Sequence, residues 1–124
     1  KPLNSLIHPS AAISLHASIG LGVVVMPQVV INVGVKIGDG VILNTSCSID
    51  HDCTLEDGVH ISPGAHLAGG VVVGKSTWVG IGANVRQYLS VGSNTIVGAG
   101  ATVVSNVASN VTVVGTPAKP LVGV

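Results

Sequence analysis

The chain has no phenylalanine, one tryptophan and one tyrosine, and only 8% of its residues are charged. Without large aromatics, a core must be built from valine, isoleucine, leucine and alanine, which suit a narrow, regular interior. The five Lys/Arg residues (Lys1, Lys36, Lys75, Arg86, Lys119) are scattered and balanced by five acidic ones. That argues against nucleic-acid or anionic-membrane partners, which need clustered positive charge. Two cysteines in 124 residues make no disulfide framework. Mean hydropathy is positive, yet no apolar run approaches the roughly 18–20 residues of a spanning helix. The opening KPLNSLIHPSA has no continuous apolar stretch of the kind a signal peptide carries, so the expected location is cytoplasmic. It starts at Lys1 rather than Met, as a fragment or trimmed chain would. The length suits one domain.

What the chain has in plenty is glycine, 17 in all, and a six-residue period. Every sixth residue from Ile7 to Val103 is Ile, Leu or Val, without a single insertion. A helix cannot use this stripe, because six steps of about 100° scatter it over three faces. Six is even, so short extended segments can keep the marked residue inward. Four positions after each stripe residue the side chain is mostly small, Cys47 and Cys53 included, with Leu89 the bulky exception. That makes both cysteines core filler. Three positions after the stripe glycine recurs, with Asp52, Asn94 and Asn106 in the same slot. Gly, Asn and Asp tolerate positive φ, so this slot reads as a repeated tight corner.

The expected fold is therefore all-β, a parallel β-helix of flat faces: a triangular prism of hexapeptide repeats, eighteen residues per coil and between five and six coils. At roughly 4.8 Å per coil the prism would stand ~27 Å tall, and each buried stripe residue contributes roughly 1.5–3 kcal/mol. The expected divisions are a lead-in over 1–6, the β-helix over 7–108, and a cap and tail over 109–124, where the register dissolves.

With residue n beside n+18, the chemistry-bearing residues fall into columns. One runs Leu15, Val33, His51, Gly69, Gln87. His51 is flanked by Asp50 and Asp52, and a carboxylate beside an imidazole can hold its tautomer and stabilise its cation, as a general base requires. Asp52 has a structural reason as a corner residue; Asp50 has less. Gly69 lies outside both repeated glycine slots, the one three after the stripe and the one directly after it (Gly20, Gly38, Gly74), and a glycine with no conformational reason often marks close approach of a ligand to backbone. A second column puts His60 beside Trp78, a plausible binding pair, and a third puts Asp57 beside Lys75 as a weak surface pair. His66 reads as surface, and His8 and His16 as end-of-prism residues.

The stripe-glycine-small pattern resembles the hexapeptide repeat of left-handed β-helix proteins, and the left hand is taken from that resemblance. Residues 43–74, LNTSCSIDHDCTLEDGVHISPGAHLAGGVVVG, resemble the sugar O- and N-acetyltransferases of the sialic acid O-acetyltransferase type, which include enzymes acetylating UDP-linked amino sugars. IHPSA at 7–11, VGAGATV at 97–103 and VGTPAK at 114–119 support this. The resemblance implies an acetyl-CoA-dependent transferase, with no metal, acting on an amine or hydroxyl of a sugar or nucleotide-sugar. It implies a homotrimer with active sites between subunits. His51 would be the base, Asp50 or Asp52 its orienting group, and the Gly69 N–H the oxyanion donor. His60 and Trp78 would lie near the acetyl group or acceptor, the CoA arm near Ile81, Gly82 and Gly100, and Lys119 at the CoA phosphates. Many such enzymes carry a nucleotide-sugar-binding domain before the IHPSA segment, which this chain does not include.

Two other classes compete. A non-catalytic trimeric scaffold needs only the repeat; an ice-binding prism would need a threonine array that is not there. A zinc enzyme resembling the γ-type carbonic anhydrases would draw on His51, His60 and His66, but their spacing lacks that family's His-x4-His pair.

Overall fold

The computed structural model describes residues 4–121, so the expected lead-in and tail lie partly outside the described residues. Eighteen of the strands are two residues long, and almost every one pairs an outward first residue with an inward stripe residue. They stack into three parallel faces. The first face runs Leu6–Ile7, Val24–Val25, Ile42–Leu43, His60–Ile61, Trp78–Val79 and Ile96–Val97. The second runs from Ala12–Ile13 through Ser48–Ile49 and His66–Leu67 to Thr102–Val103, and the third from Ser18–Ile19 through Thr54–Leu55 to Ser90–Val91. Register is eighteen throughout these faces, as in His60 against Trp78. The fold is a β-solenoid of about six turns.

The stripe makes the interior. From Val25 to Val103 all of its residues are buried, and the small slot fills the space between them. Polar members of that slot bond to the next coil. Thr77 Oγ1 donates to the Gly92 carbonyl at 2.6 Å, and the Cys53 thiol to the Ala68 carbonyl at 3.1 Å. Burial pushes the Cys47 thiol up to about 12 and also raises Cys53, so both stay protonated and inert, as packing residues do.

Glycine placement has two physical causes. At Gly20, Gly38, Gly74 and Gly80 a Cβ would strike the next coil, mostly its backbone. In the corner slot the chain takes positive φ, in glycines and also in Gln28, Ser46, Asp52, Ser76, Tyr88 and Asn94. Asn106, expected in that slot, is not among them; Asn110 is, at φ 62°. The reason is a shortened last coil. Ile96 pairs with Thr112, sixteen residues on, whereas Trp78 pairs with Ile96, eighteen on. Asn106 instead accepts the Ser90 N–H through its side chain at 2.9 Å.

The two ends differ. At the C-terminal end Thr112–Val114 extends the first face and Lys119–Pro120 adds to it antiparallel, burying Val113. At the N-terminal end Ile7 is 47% exposed. The Asp57–Lys75 pair does not form: the Asp57 carboxylate accepts the Asp39 N–H at 2.8 Å, and the Lys75 N–H goes to Glu56 at 3.2 Å. No helix of the described residues is long and apolar enough to cross a membrane.

Candidate active site

Asp50, His51 and Asp52 form the corner between the second and third faces, directly after Ser48–Ile49 and before Thr54–Leu55. Asp52 donates its N–H to the Val33 carbonyl, but the His51 N–H has no backbone acceptor, so the side chain before it can supply one. Asp50 does this. Its Oδ1 accepts the His51 N–H at 2.7 Å and Asn32 Nδ2–H from the coil below at 2.9 Å. Those two bonds, the first the larger, hold the Asp50 carboxyl below its usual range. Asp50 therefore shapes the corner backbone and has no bond to the imidazole.

Asp52 makes that bond. Its Oδ2 lies 3.1 Å from His51 Nδ1, the sole contact of salt-bridge length among the described residues. Both groups are largely exposed, so the pair adds little stability; it fixes the tautomer with the proton on Nδ1 and Nε2 free to accept. Two glycines make room for this arrangement. A Cβ at Gly34 would collide with the Asp52 carboxylate, and one at Gly69 with His51 Nε2 and Cε1. Gly69 thus has a local reason after all: the neighbouring imidazole lies across it. Its φ is not in the left-handed region. Its N–H has no acceptor among the described residues, because Ala68 before it carries no side-chain acceptor.

His60, Trp78, Ile81, Gly82, Gly100 and Lys119 do not join this corner. His60 and Trp78 are neighbouring outward residues of the first face, opposite the His51 corner of the prism. Their ring centroids are 4.3 Å apart and tilted by 34°. Trp78 Nε1–H donates to Ser62 Oγ at 2.8 Å, and Asn44 Nδ2 stands 3.5 Å from His60 Nε2. With Ile81 and Ala99 these residues line a groove of about 420 Å³. Gly82 and Gly100 turn the corner beside it with positive φ, a conformation glycine adopts without strain. Lys119 lies higher on the same face, exposed. His66 belongs to the second face, where its Nδ1 meets Ser48 Oγ at 2.6 Å. Among the described residues no three histidine, cysteine or carboxylate groups converge as metal ligands would.

Sequence reasoning missed Asn32, Asn44 and Ser62, which act through side-chain hydrogen bonds, and Gly34, which acts through the space its missing Cβ leaves for Asp52. It also passed over Tyr88, whose ring lies across Gly70. A signal for Tyr88 was present: it and Trp78 are the chain's only aromatics besides histidine, and each stands beside one of the two groups above.

The partly buried His60 has a pH consequence. Burial lowers its pKa, so the folded chain takes up this proton less readily than the unfolded one. Stability is then lost as pH falls below the ordinary imidazole value of 6.5 and levels off below the folded pKa. His60→Asn removes that component, and its urea midpoint should fall less between about pH 7 and pH 5 than that of the parent chain. Equal slopes would show that the imidazole is solvated.

The bacterial transferase hexapeptide (six repeats) family matches residues 34–69. No curated protein matches. Solved structures do. A histidine-to-asparagine variant of perosamine N-acetyltransferase from Caulobacter crescentus, in complex with CoA and GDP-perosamine, is 43% identical with a TM-score of 0.98 over 98% of this chain. The acetyltransferase domain of PglB from Neisseria gonorrhoeae, in complex with acetyl coenzyme A, is 49% identical with a TM-score of 0.96 over 97%. WeeI from Acinetobacter baumannii is 32% identical with a TM-score of 0.93 over 95%. The chain spans 58% of the length of each of the three. Repeat, coil geometry and these matches make the chain a hexapeptide-repeat β-solenoid, similar over nearly all its length to a perosamine N-acetyltransferase and to the acetyltransferase domain of PglB.

Proposed function

We propose that the protein is an acyltransferase that moves the acetyl group of acetyl-CoA to an amine or hydroxyl of a sugar or nucleotide-sugar. The observation that carries this is the His51 corner: an imidazole held at Nδ1 by Asp52, with Nε2 beside an unpartnered backbone N–H at Gly69. His51 Nε2 takes the proton from the acceptor as its nitrogen or oxygen attacks the thioester carbonyl. The Gly69 N–H donates to the oxygen as it becomes negative, and an N–H with no other acceptor is free to do so. Asp52 stabilises the imidazolium that results, and Asp50 holds the corner. The proton then goes to the leaving thiolate. In the Caulobacter relative, CoA and GDP-perosamine bind together in variants that lack one histidine, as expected where that histidine serves chemistry rather than binding.

The reading extends to assembly. Within one chain the His51 corner and the His60–Trp78 groove face apart, so a site using both forms between two subunits of a homotrimer. The first face suits that contact, with Leu6, Trp78 and Ile96 all more than half exposed, an apolar stripe of the kind that marks interfaces. The CoA arm runs along the groove past Ile81, Gly82 and Gly100 toward Lys119, which meets the phosphates, and His60 lies near the acetyl group. Acetyl-CoA is the expected donor, and the cytoplasm the expected location.

The test is acetyl-CoA consumption against sialic acids, free amino sugars and nucleotide-linked amino sugars, alongside light scattering for the oligomer. Turnover of a sugar by a trimer is the expected result. A protein that binds CoA yet acetylates nothing in the panel would be the non-catalytic scaffold instead.

A further inference from the structure

We propose that Tyr88 is the platform against which the acceptor's sugar ring lies. Tyr88 occupies the left-handed corner slot, with φ at 58°. Elsewhere in the regular coils that slot is filled by glycine, by small or polar residues, and once by His16. A bulky side chain is strained in this region, and here packing offers little compensation, because Tyr88 is 72% exposed. Its hydroxyl bonds to nothing among the described residues. Strain held without a structural return points to function.

Its position says which function. The Tyr88 ring reaches down one coil and lies across Gly70, while the His51 ring reaches up one coil and lies across Gly69. Two rings from opposite directions thus converge on consecutive glycines, the first of which has an unpartnered N–H. The Cδ1–Cε1 edge of the phenol lies against Gly70 and most of the ring is open to solvent. A pyranose presents an apolar C–H face that lies flat on such a ring, and the phenol hydroxyl at its edge can bond to sugar hydroxyls. A sugar seated there has its ring one coil from His51, within reach of Nε2 through an amine or hydroxyl substituent. This rests on the acetyltransferase reading above and adds the residue that recognises the acceptor.

The test uses the full chain with Tyr88→Asn and Tyr88→Phe. Asparagine tolerates the left-handed φ, as Asn94 does at 52°, so it removes the ring without unsettling the corner. GDP-perosamine and a UDP-linked amino sugar serve as acceptor probes, with binding read by saturation-transfer NMR and turnover by acetyl-CoA consumption. For Tyr88→Asn the acceptor KM should rise about tenfold, the acetyl-CoA KM should stay the same, and the melting temperature should hold or rise. Tyr88→Phe should keep most of the acceptor affinity. Acceptor binding by Tyr88→Asn equal to the parent's, with turnover intact, overturns the platform and leaves the acetyltransferase reading standing. A parent chain that neither binds nor acetylates either probe or any other sugar tested overturns both.

Discussion

Replacing His51 with alanine should lower acetyl transfer by about 10²–10⁴-fold, the range for losing a positioned general base. CoA binding and the oligomer should survive, because His51 is a half-exposed corner side chain outside the core cluster. Its ring bonds only to Asp52, so its loss leaves no buried group unpaired. Asp52→Asn is the companion variant. It keeps the corner residue's tolerance of positive φ but removes the charge facing Nδ1, so it should lower kcat while leaving the melting temperature nearly unchanged. Steady-state kinetics and a CoA titration on the same preparations check both. Full activity in His51→Ala would remove it as the base.

Gly69→Ala should be almost as damaging to activity, about 10²-fold, although it adds a single methyl group. The backbone at Gly69 is not left-handed, so alanine meets no φ penalty, and the change is not a folding mutation. The methyl would fall on the imidazole, at Nε2 and Cε1. Displacing a catalytic group by about 1 Å can cost that much in rate. The loss should depend on the ring it displaces: in a His51→Ala background Gly69→Ala should do little more, since groups acting as one unit are not additive. Losses that multiplied in the double variant would mean that Gly69 acts independently of the imidazole.

The solenoid was legible before any coordinates because its rule is local and repeated. Each hexad carries one large inward residue, one small one and one corner, and an even period with no insertion leaves little other way to bury the stripe. The register failed only beyond Val103, where the corner holding Asn106 is two residues short, so that Asn110 rather than Thr112 takes the left-handed position above Asn94. Nothing in the local pattern counts residues per coil once the stripe ends. The site was legible in part. His51 and Gly69 stood out because they broke the repeat, and the n+18 register put them side by side. Gly69 was noticed for the right position and a different reason: the group that needs its missing Cβ is the His51 ring.

Tertiary structure alone decided between the two aspartates. Both are adjacent to His51 in sequence, but the corner turns one carboxylate back onto the His51 N–H and swings the other, at positive φ, onto Nδ1. That choice is made by backbone dihedrals and by the empty space over Gly34, which residue spacing does not express. Tertiary structure also separated the His60–Trp78 groove from the His51 corner. Nine residues are half a coil, and half a coil around a triangular prism carries His60 to the face opposite. The sequence by itself determined the prism, its inward residues and the column in which His51 lies. Which atoms meet across that column depended on side-chain direction at the corners, which the backbone hydrogen bonds between coils do not dictate.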